Sequence, residues 1–232
     1  MNKLSIIIPV YNEKNTILEI LREIEAVDLP LEKEVVIIDD CSTDGTRDIL
    51  NNLDQKKYKI ILQLKNEGKG SALKTGFLNA TGDIIIIQDA DLEYDPNDYK
   101  KILPPILTGR ADVVYGSRFL SGEPKRVLYF WHLMANTFLT RLSDLLTGLT
   151  FTDMETCYKA FTKEVLDSFK NKLESNRFGI EPEITALVAK GKWRIYEVGI
   201  SYYGRTYEEG KKINWRDGLA AVWHIIKFSL FK

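Results

Sequence analysis

The first half of the chain alternates two hydrophobic patterns. LSIII (4–8) is an unbroken apolar run, as expected of a strand buried on both faces. After PVYNE, the residues Ile17, Leu18, Leu21, Ile24 and Val27 recur at three- and four-residue spacing, the stripe of an amphipathic helix. The switch then repeats, with strand patterns over 34–39, 59–64, 83–88 and 112–117 and helical ones over 46–53 and 69–80. Asp95–Pro96 predicts a further helix start, with Asp as cap and Pro at the first helical position. The second half is less regular. It reads as a long helix over 126–147, a strand over 156–161, helices over 164–169 and 181–190, and an alternating strand over 193–203. A polar loop (204–212) and a closing helix (214–231) follow.

This alternation predicts an α/β fold, a mostly parallel Rossmann-like sheet with helices on both faces and right-handed crossovers. Ligands in such sheets bind beyond the carboxyl ends of the strands. Three polar clusters sit there: PVYNE (9–13), DDCSTD (39–44) and DADLE (89–93). They should converge on one edge of the sheet.

Composition narrows the picture. A chain of 232 residues fits one α/β domain, and 44% apolar with 28% charged residues is ordinary for a globular protein. A net charge of −1 gives no global field for nucleic acid or an anionic membrane, so anion binding must be local. Two cysteines, Cys41 and Cys157, far apart and outside any CxxC pattern, argue against a disulfide framework or a zinc site and for a reducing cytoplasm. The apolar start is too short for a signal peptide, and no apolar run reaches the roughly 18 residues of a membrane span. A soluble or peripheral protein is expected.

The candidate chemistry is acidic. Asp89 and Asp91 flank Ala90, so in an extended chain both carboxylates can face one ion, and Glu93 could add an oxygen. Mg²⁺ is commonly held by one or two carboxylates together with substrate phosphates. The alternative is a helix-capping turn, which suits Asp95 best; a DxD tripeptide alone is weak. Asp39 and Asp40 end a buried strand, which is costly unless they are paired or hydrated. Tyr11 could pack on a nucleobase, or PVYNE could be a turn set by Pro9 and Asn12. KNEGKGSA lacks the P-loop spacing, although the helix start at Lys69 could favour an anion. Arg118 follows the fifth strand. Arg205, Lys211 and Lys212 lie in GRTYEEGKK, where they are either diphosphate partners or solvated charge.

SIIIPVYNE, VVIIDDCSTDGT, NEGKGSALKTGF, GDIIIIQDADLEYDP and VVYGSRF, in this order, resemble the family 2 glycosyltransferases of the GT-A fold. Within them the chain is most similar to the polyprenol-phosphate sugar transferases. These motifs cover residues 4–119 almost without a gap; TDMETCYKAF (152–161) and FGIEPEI (178–184) extend the likeness more loosely.

The resemblance implies one domain, with a nucleotide-sugar-binding half (1–119), an acceptor half with a diphosphate loop (120–212) and a C-terminal amphipathic helix (213–232). Pro9, Tyr11, Glu13, Ile38, Asp40, Lys69, Asp89 and Ala90 would bind a GDP- or UDP-hexose. Asp89, Asp91 and Glu93 would hold Mg²⁺ or Mn²⁺. Arg118, Arg205 and Lys211 would meet the diphosphate. On the acceptor side, Arg118 and His132 would receive a polyprenyl phosphate, and Asp153 would act as base or orient the acceptor. The departures from the family pattern, His132 for Arg, Cys157 for Gly and RTYEEGKK for RxxGxSK, fall on that side.

Inverting, metal-dependent hexosyl transfer to polyprenyl phosphate is therefore the first reading. The same donor chemistry with a soluble or glycan hydroxyl is the second, and a noncatalytic nucleotide-binding module the third. KRVLYFWHLM (125–134) and AAVWHIIKFSLFK (220–232) carry the Trp, Phe, Tyr and Lys of interfacial helices. Core packing, a homodimer contact, or contact with a membrane or a membrane-protein partner would each account for them.

Overall fold

The computed structural model describes residues 1–120, 122, 124–127, 129–205 and 215–231. Its centre is a seven-stranded sheet: β1 (Lys3–Val10), β2 (Glu32–Asp39), β3 (Tyr58–Leu62), β4 (Ile84–Ile87), β5 (Val113–Ser117), β6 (Lys159–Thr162) and β7 (Ile195–Gly199). Their order is β3-β2-β1-β4-β6-β5-β7. The strands of the first half pair in parallel, as the unbroken apolar runs require, since both faces are covered. β6 is the exception. It runs antiparallel between β4 and β5, so the sheet is mixed although mostly parallel. The reversal carries the 152–158 loop that precedes β6 to the same end of the sheet as the strand ends of β1, β2 and β4.

The helices are α1 (Ile17–Ala26), α2 (Thr46–Asn51), α3 (Lys69–Asn79), α4 (Tyr99–Ile102), α5 (Pro104–Leu107), α6 (Phe130–Thr147), α7 (Lys163–Phe169), α8 (Ile180–Ala189) and α9 (Trp215–Leu230). Asp95 caps as predicted, accepting the Asn97 N–H at 2.8 Å. The expected helix is instead a 3₁₀ turn (Pro96–Asp98) followed by two single turns, broken where the Pro104–Pro105 pair removes two amide donors. The long helix starts at Phe130, not at 126. Lys125 and Arg126 are drawn into backbone pairing with Tyr202, whose carbonyl accepts the Arg126 N–H at 2.8 Å.

The core is one cluster around the sheet, dominated by the isoleucines and valines of β1, β2 and β4. A satellite cluster of Leu139, Met154, Ala221 and Ile225 joins α6 to α9. No helix among the described residues is long and apolar enough to cross a membrane.

Candidate active site

The loops after β1, β2 and β4 share an unusual backbone feature. Asn12 (φ 54°), Cys41 (φ 62°) and Leu92 (φ 62°) are the non-glycine residues with left-handed conformation among those described, one in each polar cluster. Such strain persists only where surrounding bonds enforce it, and it concentrates at functional sites. The enforcing bonds are present. Asn12 N–H donates to Ser42 Oγ at 2.9 Å and Thr43 N–H to Asn12 Oδ1 at 2.8 Å, which ties the first two loops together. Beyond these loops lies a cavity of about 780 Å³, well within the range of small-molecule sites.

At one end of the cavity the carboxylates of the strand ends are gathered. Asp39 is fully buried and paired with Arg47 at 2.7 Å, so it serves the fold. Asp40 lines the cavity; its oxygens accept the N–H groups of Glu67 and Gly68 at 2.8 and 2.7 Å. Burial raises its pKa and these two bonds oppose the rise. Gly68 and Gly70 are explained by close packing, not by a phosphate cradle. A Cβ on either would come within 2.6 Å of the backbone of Ser175 or Asn176. Lys69 Nζ bridges Asp89 Oδ1 at 2.9 Å and Glu181 Oε1 at 3.2 Å. Burial opposes its charge, but these carboxylates hold it protonated, well above the usual range.

Asp91 faces a different cation. Arg205 reaches Asp91 Oδ2 at 3.1 Å, Glu13 Oε1 at 3.4 Å and Glu93 Oε1 at 3.6 Å. Even so, burial and the neighbouring carboxylates of Asp89 and Glu93 push Asp91 up to about 7. Among the described residues, negative charge is therefore in excess here. A hard divalent cation is the group that such oxygens fit. Among the described residues, no three His, Cys, Asp or Glu side chains form a closed cage, so a metal would take protein oxygens together with those of a substrate. Glu93 is otherwise engaged. Its carboxylate accepts the Tyr202 hydroxyl at 2.8 Å and the Arg205 N–H at 2.7 Å, anchoring the chain that carries Arg205. Asp89 and Asp91 are the better-placed pair.

At the other end the charges are locked. Arg118 makes a bidentate pair with Asp153, both bonds at 2.7 Å, and donates its backbone N–H to the same carboxylate at 3.0 Å. Asp153 is fully buried and does not line the cavity. Its oxygens orient Arg118, which leaves no room for the expected role as base. Lys159 is also fully buried, paired with Glu181 and lying over the Tyr115 ring. Glu155 opens into the cavity. Burial and then the Glu181 carboxylate push it up to about 7, against the pull of Lys159 and Arg118.

The expected donor residues Pro9, Tyr11, Glu13, Asp40, Lys69, Asp89, Ala90, Arg118 and Arg205 all line this cavity, with Asp91, Glu93 and His132. Ile38 does not. Its side chain is buried between the sheet and α3, where a Cβ on Gly76 would meet its Cδ1 at 2.8 Å. Lys211 lies outside the described residues. Lining residues that were not expected include Glu155, Glu181, Asn136 and the cation Arg177. For Glu155 a signal existed, since it repeats the alternate-position spacing of Asp89 and Asp91 one cluster later. Asn136 follows His132 by one helical turn. Glu181 had no such mark.

The chain matches glycosyl transferase family 2 over residues 5–169. It belongs to that family. A dolichol-phosphate mannosyltransferase of Pyrococcus furiosus is 30% identical over 225 residues, 91% of this chain and 60% of the relative. This family 2 chain thus spans about 60% of that relative's length. An uncharacterized protein of Methanocaldococcus jannaschii is 27% identical over 99% of this chain and 93% of its own length. Among solved structures, glucosyl-3-phosphoglycerate synthase from Mycobacterium tuberculosis, in complex with Mn²⁺, UDP and phosphoglyceric acid, has a TM-score of 0.70 at 19% identity. The likeness covers 99% of this chain and 79% of that one. The same enzyme with Mg²⁺ and UDP has a TM-score of 0.71 at 20% identity. These structures share the GT-A fold with this chain.

Proposed function

We propose that this family 2 chain transfers a hexose from a nucleoside diphosphate-hexose to a lipid-borne acceptor, in the first place a polyprenyl phosphate, with inversion at the anomeric carbon. The observation that carries this reading is the two-sidedness of α6. His132, Ala135, Asn136 and Leu139 line the cavity from one face. Phe130, Met134 and Phe138, four residues apart on another face, are exposed, as is Trp131 at 76%. Lys125 and Arg126 precede this stripe in the chain and Arg141 follows it, and Trp223 and Phe231 are exposed on and just after α9, which packs on α6. An aromatic and basic surface beside the acceptor end suits a chain that takes its acceptor from a bilayer interface. The resemblance to the Pyrococcus mannosyltransferase supports the same acceptor.

In this mechanism Tyr11, Glu13 and Asp40 hold the nucleoside end of the donor. Lys69 and Arg205 leave their carboxylates to meet the diphosphate. Asp89 and Asp91 would hold Mg²⁺ or Mn²⁺, which supplies charge neutralisation of the leaving diphosphate when bound. Arg118, fixed by Asp153, presents a preorganised cation to the acceptor.

A hydroxyl acceptor is the second reading, favoured by Glu155, a carboxyl that a fully ionised phosphate would not need. Incubation with radiolabelled nucleotide-hexoses and membranes tests the choice. Label passing into an organic-extractable, mild-acid-labile product supports polyprenyl phosphate. Label confined to water-soluble or acid-stable products contradicts it.

A further inference from the structure

Among the described residues, Glu155 is the one cavity-lining carboxylate without an assigned task, and its surroundings are specific. It lies in the 152–158 loop, between the buried Arg118–Asp153 pair and the Lys159–Glu181 pair. Its Oε1 is buried and has no hydrogen-bond partner among the described residues, although the side chain opens into the cavity. A buried, unpaired carboxyl oxygen costs roughly 1–3 kcal/mol, so its retention asks for a partner that arrives from the cavity. Among the described residues, the two cations that act on Glu155 are already committed: Arg118 is bound twice by Asp153, and Lys159 is held by Glu181 and the Thr156 carbonyl.

We propose that Glu155 is the proton-accepting group of the transferase, taking the proton from the acceptor's attacking O–H as that oxygen bonds to the anomeric carbon. The acceptor oxygen supplies the electron pair of the new C–O bond. The bond between the anomeric carbon and the diphosphate oxygen breaks with its pair remaining on the diphosphate. The proton moves to Glu155 and later to solvent. The inference rests on the transfer reading above and deepens it. An alcohol always carries that proton. A phosphate monoester carries it in part near neutrality, its second pKa being about 6, and a cavity rich in carboxylates favours the protonated monoanion.

The groups facing Glu155 are Glu181 from α8, Lys159 from β6, Arg118 after β5 and Asp153 from its own loop. The first and last raise its proton affinity and the two cations lower it, with a midpoint near 7. That value suits a base working at neutral pH.

The test compares wild type with Glu155→Gln and Glu155→Asp, assaying nucleoside diphosphate release against pH. The acceptors are a short-chain polyprenyl phosphate, an octyl hexoside, and water alone. In wild type the rate rises with pH through about 7 and levels off. In Glu155→Gln, turnover of the octyl hexoside falls about 10²–10⁴-fold with donor affinity unchanged. Phosphate turnover falls less, and its rising limb shifts to the phosphate's own pKa. Glu155→Asp keeps part of the rate and a rising limb. Unchanged rates and pH profiles in Glu155→Gln, with the donor still bound, overturn the proposal. Should wild type turn over no acceptor, the transfer reading fails. The Glu155 inference, which rests on that reading, then falls with it, whereas unchanged Glu155→Gln rates beside an active wild type overturn the inference alone.

Discussion

Two sets of carboxylates line the same cavity and are held in opposite ways. At the donor end, Asp89, Asp91 and Glu13 are paired with Lys69 and Arg205, both of which line the cavity. At the acceptor end, Asp153 and Glu181 are paired with Arg118 and Lys159, of which Arg118 is largely and Lys159 completely buried. Under the proposed function the first arrangement is exchangeable: a metal and a diphosphate would take over from the chain's own cations. The second is fixed, because leaving a buried charge alone costs several kcal/mol. Glu155 stands between them, committed to neither.

The contrast is broken most severely at Asp91. Asp91→Ala removes a donor-end oxygen that should act only on substrate, and transfer should fall about 10³-fold, some 4 kcal/mol of transition-state stabilisation. Thermal stability should hold or rise, since an Asp pushed up to about 7 among other carboxylates is not a stabilising group. Steady-state rates and a melting curve check both. Asp153→Ala should do the reverse. It strands Arg118 in the interior and should cost about 3–5 kcal/mol of folding free energy, read by urea denaturation. If Asp153→Ala proved as stable as wild type, the fixed pairing at the acceptor end would be wrong.

A change at the surface sharpens the comparison further. Phe130→Ser with Trp131→Ser should reduce binding to anionic lipid vesicles by about 100-fold or more, two large aromatic side chains being worth roughly 1.5–3 kcal/mol each when buried. Hydrolysis of the donor in solution should not change. The smallest effect is expected remote from the cavity. Burial would raise the Glu34 pKa, but the Ser5 and Thr81 hydroxyls, the Thr81 N–H and Lys3 lower it to about 2. A pKa depressed in the folded state gives stability that is present above about 4.5 and is lost as pH falls towards 2. Glu34→Gln should therefore cost about 1–3 kcal/mol at pH 7, and the gap should close with acid.

How much of this was legible beforehand divides along the same line. The parallel strands, their helices and the three acidic strand ends follow from local patterns: isoleucine runs, helical stripes, Asp–Pro caps. The Asp89–Asp91 pair could be read from its place after β4, although Ala90 and Asp91 form a turn, not the extended segment that alternate spacing assumes, and the two carboxylates meet different cations. The acceptor end depends on contacts distant in sequence. β6 slots antiparallel between β4 and β5, and only that insertion brings Asp153 to Arg118 and Glu155 to the cavity. Asp153 looked like a base from its place in TDMETCY, yet its carboxylate is consumed by a guanidinium 35 residues earlier. Glu181 reaches Lys69 from α8, and nothing in FGIEPEI announces that reach.

The exchangeable nature of the donor end is tested most directly by calorimetric titration of UDP and GDP into the protein, with Mn²⁺ and with a chelator, for wild type and Asp91→Ala. One of the nucleotides should bind wild type at least about 10-fold more tightly with Mn²⁺, about 1.4 kcal/mol, and Asp91→Ala should lose that increment. Equal affinity with and without the metal, or an increment that survives in Asp91→Ala, would contradict the account.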